Sequence, residues 1–301
     1  AEYRTESDNL IYGRISTGYR AGGLPPVGAE FYIPIEEETL INYEIGLKSL
    51  SMDQRLQTTA AIFYQDFDGY QIAAEMILDE QYLEPYSQSP IGEYTANVDG
   101  TAIWGGEIEV TYHLGDRWRF SGYYAYLDSQ IGAHASAVEG DPDLELAAWP
   151  RLDFEFDTPE LICTPEWIAE NEEDAGECYY QVPRVHTDNK LPQQPKHKFA
   201  LTVAYAMPLF DTGDLLLLGT WSYTGERQAD VYNIPGLEMR AYSRVDIRGI
   251  WTSESKRWSA TLYVQNLFDE IGLIEYVPEF SQDFGTLTEP RRIGLILRWK
   301  L

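Results

Sequence analysis

The segment RRIGLILRWKL, Arg291 to Leu301, poses the question that decides the fold. Read as a strand, it sends Ile293, Leu295, Leu297, Trp299 and Leu301 to one face and Arg292, Gly294, Arg298 and Lys300 to the other. Such an apolar row needs either a second protein layer or lipid to cover it. The rest of the chain distinguishes the two.

Period-two alternation recurs throughout. Ten segments carry it: residues 9–20, 39–49, 55–68, 101–113, 117–130, 197–207, 214–225, 241–251, 257–267 and 291–301. Most are about twice as long as the five or six residues usual in soluble strands and suit a tilted membrane crossing of about 9 to 11 residues. The connections alternate as strictly. LSMDQ, LGD, PLFDTG and TSESKR are short, whereas residues 21–38, 69–100, 131–196, 226–240 and 268–290 are long. Short turns at one rim and long loops at the other are the pattern of a transmembrane β-barrel; a sandwich has no reason to sort its loops.

This sorting fixes strand direction, and direction fixes depth. On the face carrying Ile108 and Val110, the residues Tyr112, Trp118, Tyr205, Trp251, Trp258 and Trp299 all fall at the short-turn rim, as an interfacial aromatic girdle requires. Tyr124, Tyr126, Trp221 and Tyr223 are expected in the opposite girdle. Asn42, Glu44, Lys48, Glu107, Glu109, Arg244, Asp246 and Arg248 point the other way, into an interior that must be wet. Asn266 interrupts the alternation of the ninth segment, which predicts a bulge or a strand end near NLFDE.

Composition agrees. The chain has 22 Tyr, 8 Trp and 11 Phe, yet its mean hydropathy is −0.35, so apolar residues are interleaved with polar ones. No apolar run approaches the ~18 to 20 residues of a spanning helix. A net charge of −27, from 49 acidic against 22 basic residues, argues against a nucleic-acid partner. Fourteen of the acids lie between Glu139 and Glu177 with Arg151 as the only cation, which reads as a solvated acidic loop.

A search for chemistry finds little. GYRAGG lacks the Lys-Ser/Thr ending of a phosphate loop, and His113, His134, His186 and His197 stand apart from any second metal ligand. No catalytic residue, cofactor or metal site is assigned; a surface calcium site among Asp141, Asp143, Glu172, Glu173 and Asp174 is the alternative to simple solvation.

Seven segments carry a resemblance. GRISTGYRAGGLPP, NYEIGLKS, AAIFYQDFDGYQI, GGEIEVTYHLGDRWRFSGYYAYLDS, LPQQPKHKFALTVAY, SRVDIRGIW and LYVQNLFDE resemble, in order, the C-terminal part of TonB-dependent outer-membrane receptors. The resemblance implies an all-β, transmembrane antiparallel β-barrel in which residues 1–301 supply about ten strands of a 22-stranded barrel, the plug domain lying outside this stretch. It further implies a receptor in the outer membrane of a Gram-negative bacterium. Its partners would be outer-membrane lipid, the TonB complex through the plug, and a chelate such as a ferric siderophore. Arg292, Gly294, Leu297 and Trp299 resemble the terminal assembly signal of such barrels, with Leu301 in place of the usual aromatic. A self-closed small barrel acting as a passive pore, or an enzyme at the loop rim using His134 or His186, is the alternative. Aromatic and Arg side chains suit anionic, aromatic chelates, so Tyr19, Arg20, Tyr70, Trp149, Trp167, Arg227 and Tyr232 are the candidate ligand contacts.

Cys163 and Cys178 bracket CTPEWIAENEEDAGEC, which has no metal-ligand spacing and places no base beside either sulfur. A disulfide between them is expected, and closing a loop of ~15 residues would contribute roughly 3 kcal/mol in the chain-entropy account. Thiol labelling of the unreduced surface protein should therefore give no signal until a reductant is added. Labelling of both cysteines without reductant would exclude the pair.

Overall fold

The computed structural model describes residues 1–7, 9–24, 34–77, 91–134, 189–231, 233, 238–277 and 284–300. The elements are β1 (Glu2–Arg4), β2 (Leu10–Arg20), β3 (Glu38–Ser51), β4 (Leu56–Asp68), β5 (Tyr70–Ile77), β6 (Ile91–Asp99), β7 (Thr101–Leu114), β8 (Trp118–Gln130), β9 (Ala133–His134), β10 (His197–Pro208), β11 (Gly213–Thr224), β12 (Tyr242–Ser253), β13 (Trp258–Gln265), β14 (Leu273–Val277), β15 (Phe284–Leu287) and β16 (Arg292–Trp299). All ten expected strands are present. They form one antiparallel sheet of eleven strands in the order β1-β2-β3-β4-β7-β8-β10-β11-β12-β13-β16, each joined to the next along the chain.

The additions have local causes. β1 is only three residues long, too short for a period to show, and folds back on β2 through the Thr5–Asn9 turn, where Thr5 N–H donates to Asn9 O at 2.9 Å. β5, β6 and β9 form a small sheet within the long connections after β4 and β8, and β14 and β15 form a hairpin in the last long connection. The chain leaves the large sheet at Gly69 (φ 64°) and re-enters it at Gly100 (φ 70°), left-handed positions that favour glycine. A Cβ on Gly69 would stand 2.6 Å from Glu37 O. The sequence places strand nine to residue 267, but β13 stops at Gln265, because Asn266 turns left-handed at φ 51°.

Register shows the strands to be staggered. The row of partners leaving the short turn at Ser51 and Leu56 passes through Tyr112, Phe120, Val203 and Gly219 to Ile247, Val264 and Ile293. By then the short turn lies at Ser253 and Trp258, several residues beyond the row. A stagger that accumulates across a sheet is the shear that tilts barrel strands.

The faces differ sharply. One polar row runs Gln57, Thr111, Ser121, Thr202, Thr220 and Asp246, with Thr111 and Ser121 hydroxyls 3.3 Å apart and Thr202 and Thr220 hydroxyls 2.9 Å apart. On the same face Tyr12 donates to Glu44 Oε1 at 2.9 Å, and Arg14 Nη2 lies 2.8 Å from Glu44 Oε2. The other face carries the aliphatic and aromatic rows, with Ile15, Ile62, Ile293 and Leu297 each more than 60% exposed. An apolar surface so extensive is not one a soluble monomer presents to water.

Asn266 fastens the end of β13. Its buried amide donates to Glu270 O at 2.9 Å and Glu289 O at 3.0 Å and accepts from Glu270 N at 2.9 Å, while its own N–H reaches Asp246 Oδ1 at 2.8 Å. Asn266→Ala combines a left-handed penalty with unpaired buried groups and should cost about 2 to 4 kcal/mol. Urea unfolding in detergent micelles, followed by Trp fluorescence, measures it. Asn266→Gly relieves the φ penalty and should lose less; a loss of under about 0.5 kcal/mol for the Ala variant would contradict this role.

Candidate functional site

Two parts of the molecule hold residues with something to bind: the aromatic bands on the apolar face and the loop layer above the long-loop rim. At the short-turn rim Trp118 packs on Tyr205 at 4.3 Å between ring centroids, and Trp258 stacks on Trp299 at 5.9 Å. These pairs are register neighbours, so the ring contacts follow from strand pairing itself. Toward the other rim Phe199 contacts Trp221 at 4.8 Å and Tyr223 at 5.2 Å, and Trp104 contacts Tyr126 at 5.2 Å.

This upper band is richer than its sequence reading. Tyr43, Tyr64 and Trp104 are adjacent in register on β3, β4 and β7, and each is between 44% and 49% exposed. The parity of each strand placed them on this face, but the match in height appears only once the stagger between strands is known.

The loop layer is held by side-chain amides, of which Asn97 and Gln71 are buried. Asn97 on β6 accepts from Glu36 N at 2.9 Å and donates to Glu36 O at 3.0 Å and Gly69 O at 2.8 Å, so it ties the residue 34–37 segment to the base of β5. Gln71 donates to Glu36 O at 2.9 Å and Ala21 O at 3.2 Å. Across the other loops Asn233 accepts from Lys190 N at 2.7 Å and donates to Lys190 O at 2.9 Å, and Asn189 donates to Val231 O at 2.8 Å. Loop backbone left without sheet partners needs such side chains once it is buried. None of these was picked out from sequence; the available signal was a polar amide at or near the end of an alternating segment.

The candidate ligand residues fall into three groups. Trp149, Trp167 and Tyr232 lie outside the described residues, as do Cys163, Cys178, His186 and the acids considered for calcium. Tyr19, Arg20 and Tyr70 stand near the long-loop end of β2 and the start of β5. Tyr19 shares the parity of the apolar face and is 70% exposed. Arg20 faces Glu38 at 4.0 Å, and Glu38 Oε2 also accepts from Gln71 N at 2.8 Å. Tyr70 packs edge-on against Phe67 at 5.0 Å, and burial, with Glu38 nearby, pushes its hydroxyl above its ordinary pKa. Glu38 thus links Arg20 to the start of β5, which carries Tyr70.

Arg227 sits apart, after β11. It is 6% exposed, its Nη2 donates to Leu273 O at 2.6 Å and Ile274 O at 3.0 Å, and its guanidinium lies 5.8 Å from the Tyr242 ring centroid. Its backbone pairs with that of Met239. Burial lowers its pKa below the ordinary value, with Tyr242 acting the other way. Arg227 therefore joins the β11–β12 connection to the β14–β15 hairpin.

These features match a known family. Residues 1–267 fit the family model described as TonB dependent receptor-like, beta-barrel. The chain belongs to the TonB-dependent receptor β-barrel family. Solved structures agree in fold. The ferric yersiniabactin uptake receptor of Yersinia pestis superposes with a TM-score of 0.67 at 17% identity, covering 99% of this chain and 36% of that one. The siderophore receptor PiuA of Acinetobacter baumannii gives 0.63 at 18% identity, covering 98% and 34%. A copper transporter, OprC, gives 0.60 at 15% identity, covering 99% and 38%. The chain thus spans about a third of the length of the receptors it matches. Its large sheet is the transmembrane antiparallel barrel wall of this family of transport receptors, and among the described residues β1 and β16 do not pair with one another.

Truncating Arg227 to Ala removes two charge-assisted bonds, so the β14–β15 hairpin should open more often, by on the order of tenfold or more. Limited proteolysis of intact cells reads this as faster cleavage within residues 268–290. An unchanged cleavage rate would contradict the tethering role.

Proposed function

We propose that residues 1–301 are the C-terminal portion of a receptor barrel in the outer membrane of a Gram-negative bacterium, and that the whole receptor imports a ferric siderophore or a similar scarce nutrient. Energy would come from the TonB complex, acting through a plug domain in the rest of the receptor. The observation that carries this reading is the two-faced, staggered, eleven-stranded sheet lying in a stretch that fits the receptor barrel family over residues 1–267. A metal chelate as cargo is supported by two structural neighbours, a ferric yersiniabactin uptake receptor and a siderophore receptor, and metal cargo more broadly by a third, a copper transporter.

In this reading the loop layer has two tasks. Side-chain amides and Arg227 hold the loop bases, and other loop side chains meet the chelate. Tyr19, Arg20, Tyr70, Trp149, Trp167 and Tyr232 are the proposed contacts, on the ground that Arg and aromatic rings suit an anionic, aromatic chelate, whereas Arg227, 6% exposed and bonded to Leu273 O and Ile274 O, supports the loops instead of meeting the cargo. Arg20 is the cation of this set, with 63% of its side chain exposed.

The test is uptake of radiolabelled ferric chelates by iron-limited cells with and without the gene. Deletion should abolish uptake of one chelate class, and collapsing the proton-motive force should abolish it in the parent strain. Unchanged uptake of every chelate after deletion would overturn the proposal.

A further inference from the structure

The pairing register opens a groove on the apolar face. Ile45, Ile62, Gly106 and Tyr126 stand side by side on β3, β4, β7 and β8, and the neighbouring row toward the short turns is Leu47, Ala60, Ile108 and Tyr124. Gly106 and Ala60 offer almost no bulk between large neighbours, so the surface is indented where they meet. The resulting groove has a volume of about 980 Å³, and Ile45, Ile62, Trp104 and Tyr126 are among its lining residues.

At its long-loop end the groove meets charge. Asp128 is the register partner of Trp104, and it takes Lys190 Nζ at 3.0 Å and Lys196 Nζ at 3.7 Å. Lys196 Nζ also lies over the Tyr126 ring, 5.5 Å from its centroid. His197 packs on the same ring at 5.3 Å, and its Nδ1 is 2.8 Å from the Tyr124 hydroxyl. Among the described residues two ammonium groups face one carboxylate here, a local positive surplus in a chain whose net charge is −27. The lysine side chains remain 47% and 52% exposed, and an ammonium has three donors, so one shared carboxylate does not exhaust them.

We infer that this groove and its cationic lip bind a phosphate-bearing lipid of the leaflet on the long-loop side. One acyl chain lies over Ala60 and Gly106, and a phosphate lies on Lys190 and Lys196. Apolar groove, amphipathic rings and cations follow one another in the order in which such a lipid presents tail, headgroup boundary and phosphate. A tail-only site would not account for the paired lysines, and a free-anion site would not account for the groove. The inference rests on the apolar face being the lipid-facing one.

The test uses the complete receptor in detergent and native mass spectrometry, with hexa-acyl diphosphoryl lipid A as the probe and phosphatidylethanolamine and inorganic phosphate as comparisons. Ala60→Phe fills the groove from a position that already carries a Cβ, and K190Q/K196Q removes the surplus charge. Lipid A should be retained in preference to phosphatidylethanolamine, each variant should weaken that retention by about tenfold, and inorganic phosphate should not displace it. Equal retention by all three proteins, preference for phosphatidylethanolamine, or displacement by phosphate would overturn the inference. Outer-membrane fractionation of the same proteins separates the two levels. Variants that fractionate normally yet keep lipid A overturn this site alone, whereas an unmutated receptor absent from the outer membrane overturns the membrane reading and this site with it.

Discussion

Backbone hydrogen bonding is the constraint from which the structure follows. In hydrocarbon an unpaired N–H or C=O costs several kcal/mol and water is not there to relieve it, so a spanning sheet must pair each strand on both sides. The simplest chain path that does this for neighbouring strands is a meander, and the large sheet is one from β1 to β16, with every strand between those two paired on both sides. The length of most of its strands, the alternation of their side chains and the sorting of their connections are consequences of crossing the same layer repeatedly.

Pairing also decides what the side chains can do. A two-residue repeat sends the residues of each strand alternately to the two faces, so one registered sheet can carry an aliphatic and aromatic surface and a polar surface back to back. The hydroxyl row through Thr111, Ser121, Thr202 and Thr220 and the paired rings of Trp118 with Tyr205 and Trp258 with Trp299 are products of the same register, one on each face. Where the chain leaves the ladder the accounting changes. Loop carbonyls and amides then find partners in Asn97, Asn189, Asn233 and Arg227, which hold the bases of the long connections close to the sheet.

Much of the large sheet was legible in the sequence because a period of two survives any tertiary arrangement. The ten strands, the short turns and the short-turn girdle could be read from it, and of the bulge or strand end expected near NLFDE the structure has the strand end, two residues earlier than the period suggested. What escaped was whatever depends on stagger or on contacts distant in sequence. Tyr43, Tyr64 and Trp104 share a row only through the offsets between β3, β4 and β7. The β5–β6 hairpin lies in a connection set off by Gly69 and Gly100 and is joined to residues 34–37 by Asn97, a contact with no local signature. Of the ligand candidates, Arg20 is linked through Glu38 to the start of β5, which carries Tyr70, a convergence that sequence position did not suggest.

The central claim is that the apolar face of the sheet meets lipid and the polar face meets water. Nitroxide labels placed singly along β12, at Val245, Asp246, Ile247, Arg248 and Gly249 of the complete receptor in bilayers, test it most directly. Oxygen concentrates in lipid and a neutral nickel chelate in water. Oxygen collisions should peak at Val245, Ile247 and Gly249, with nickel collisions peaking at Asp246 and Arg248. Nickel accessibility without alternation, or alternation with the opposite parity, would contradict the account.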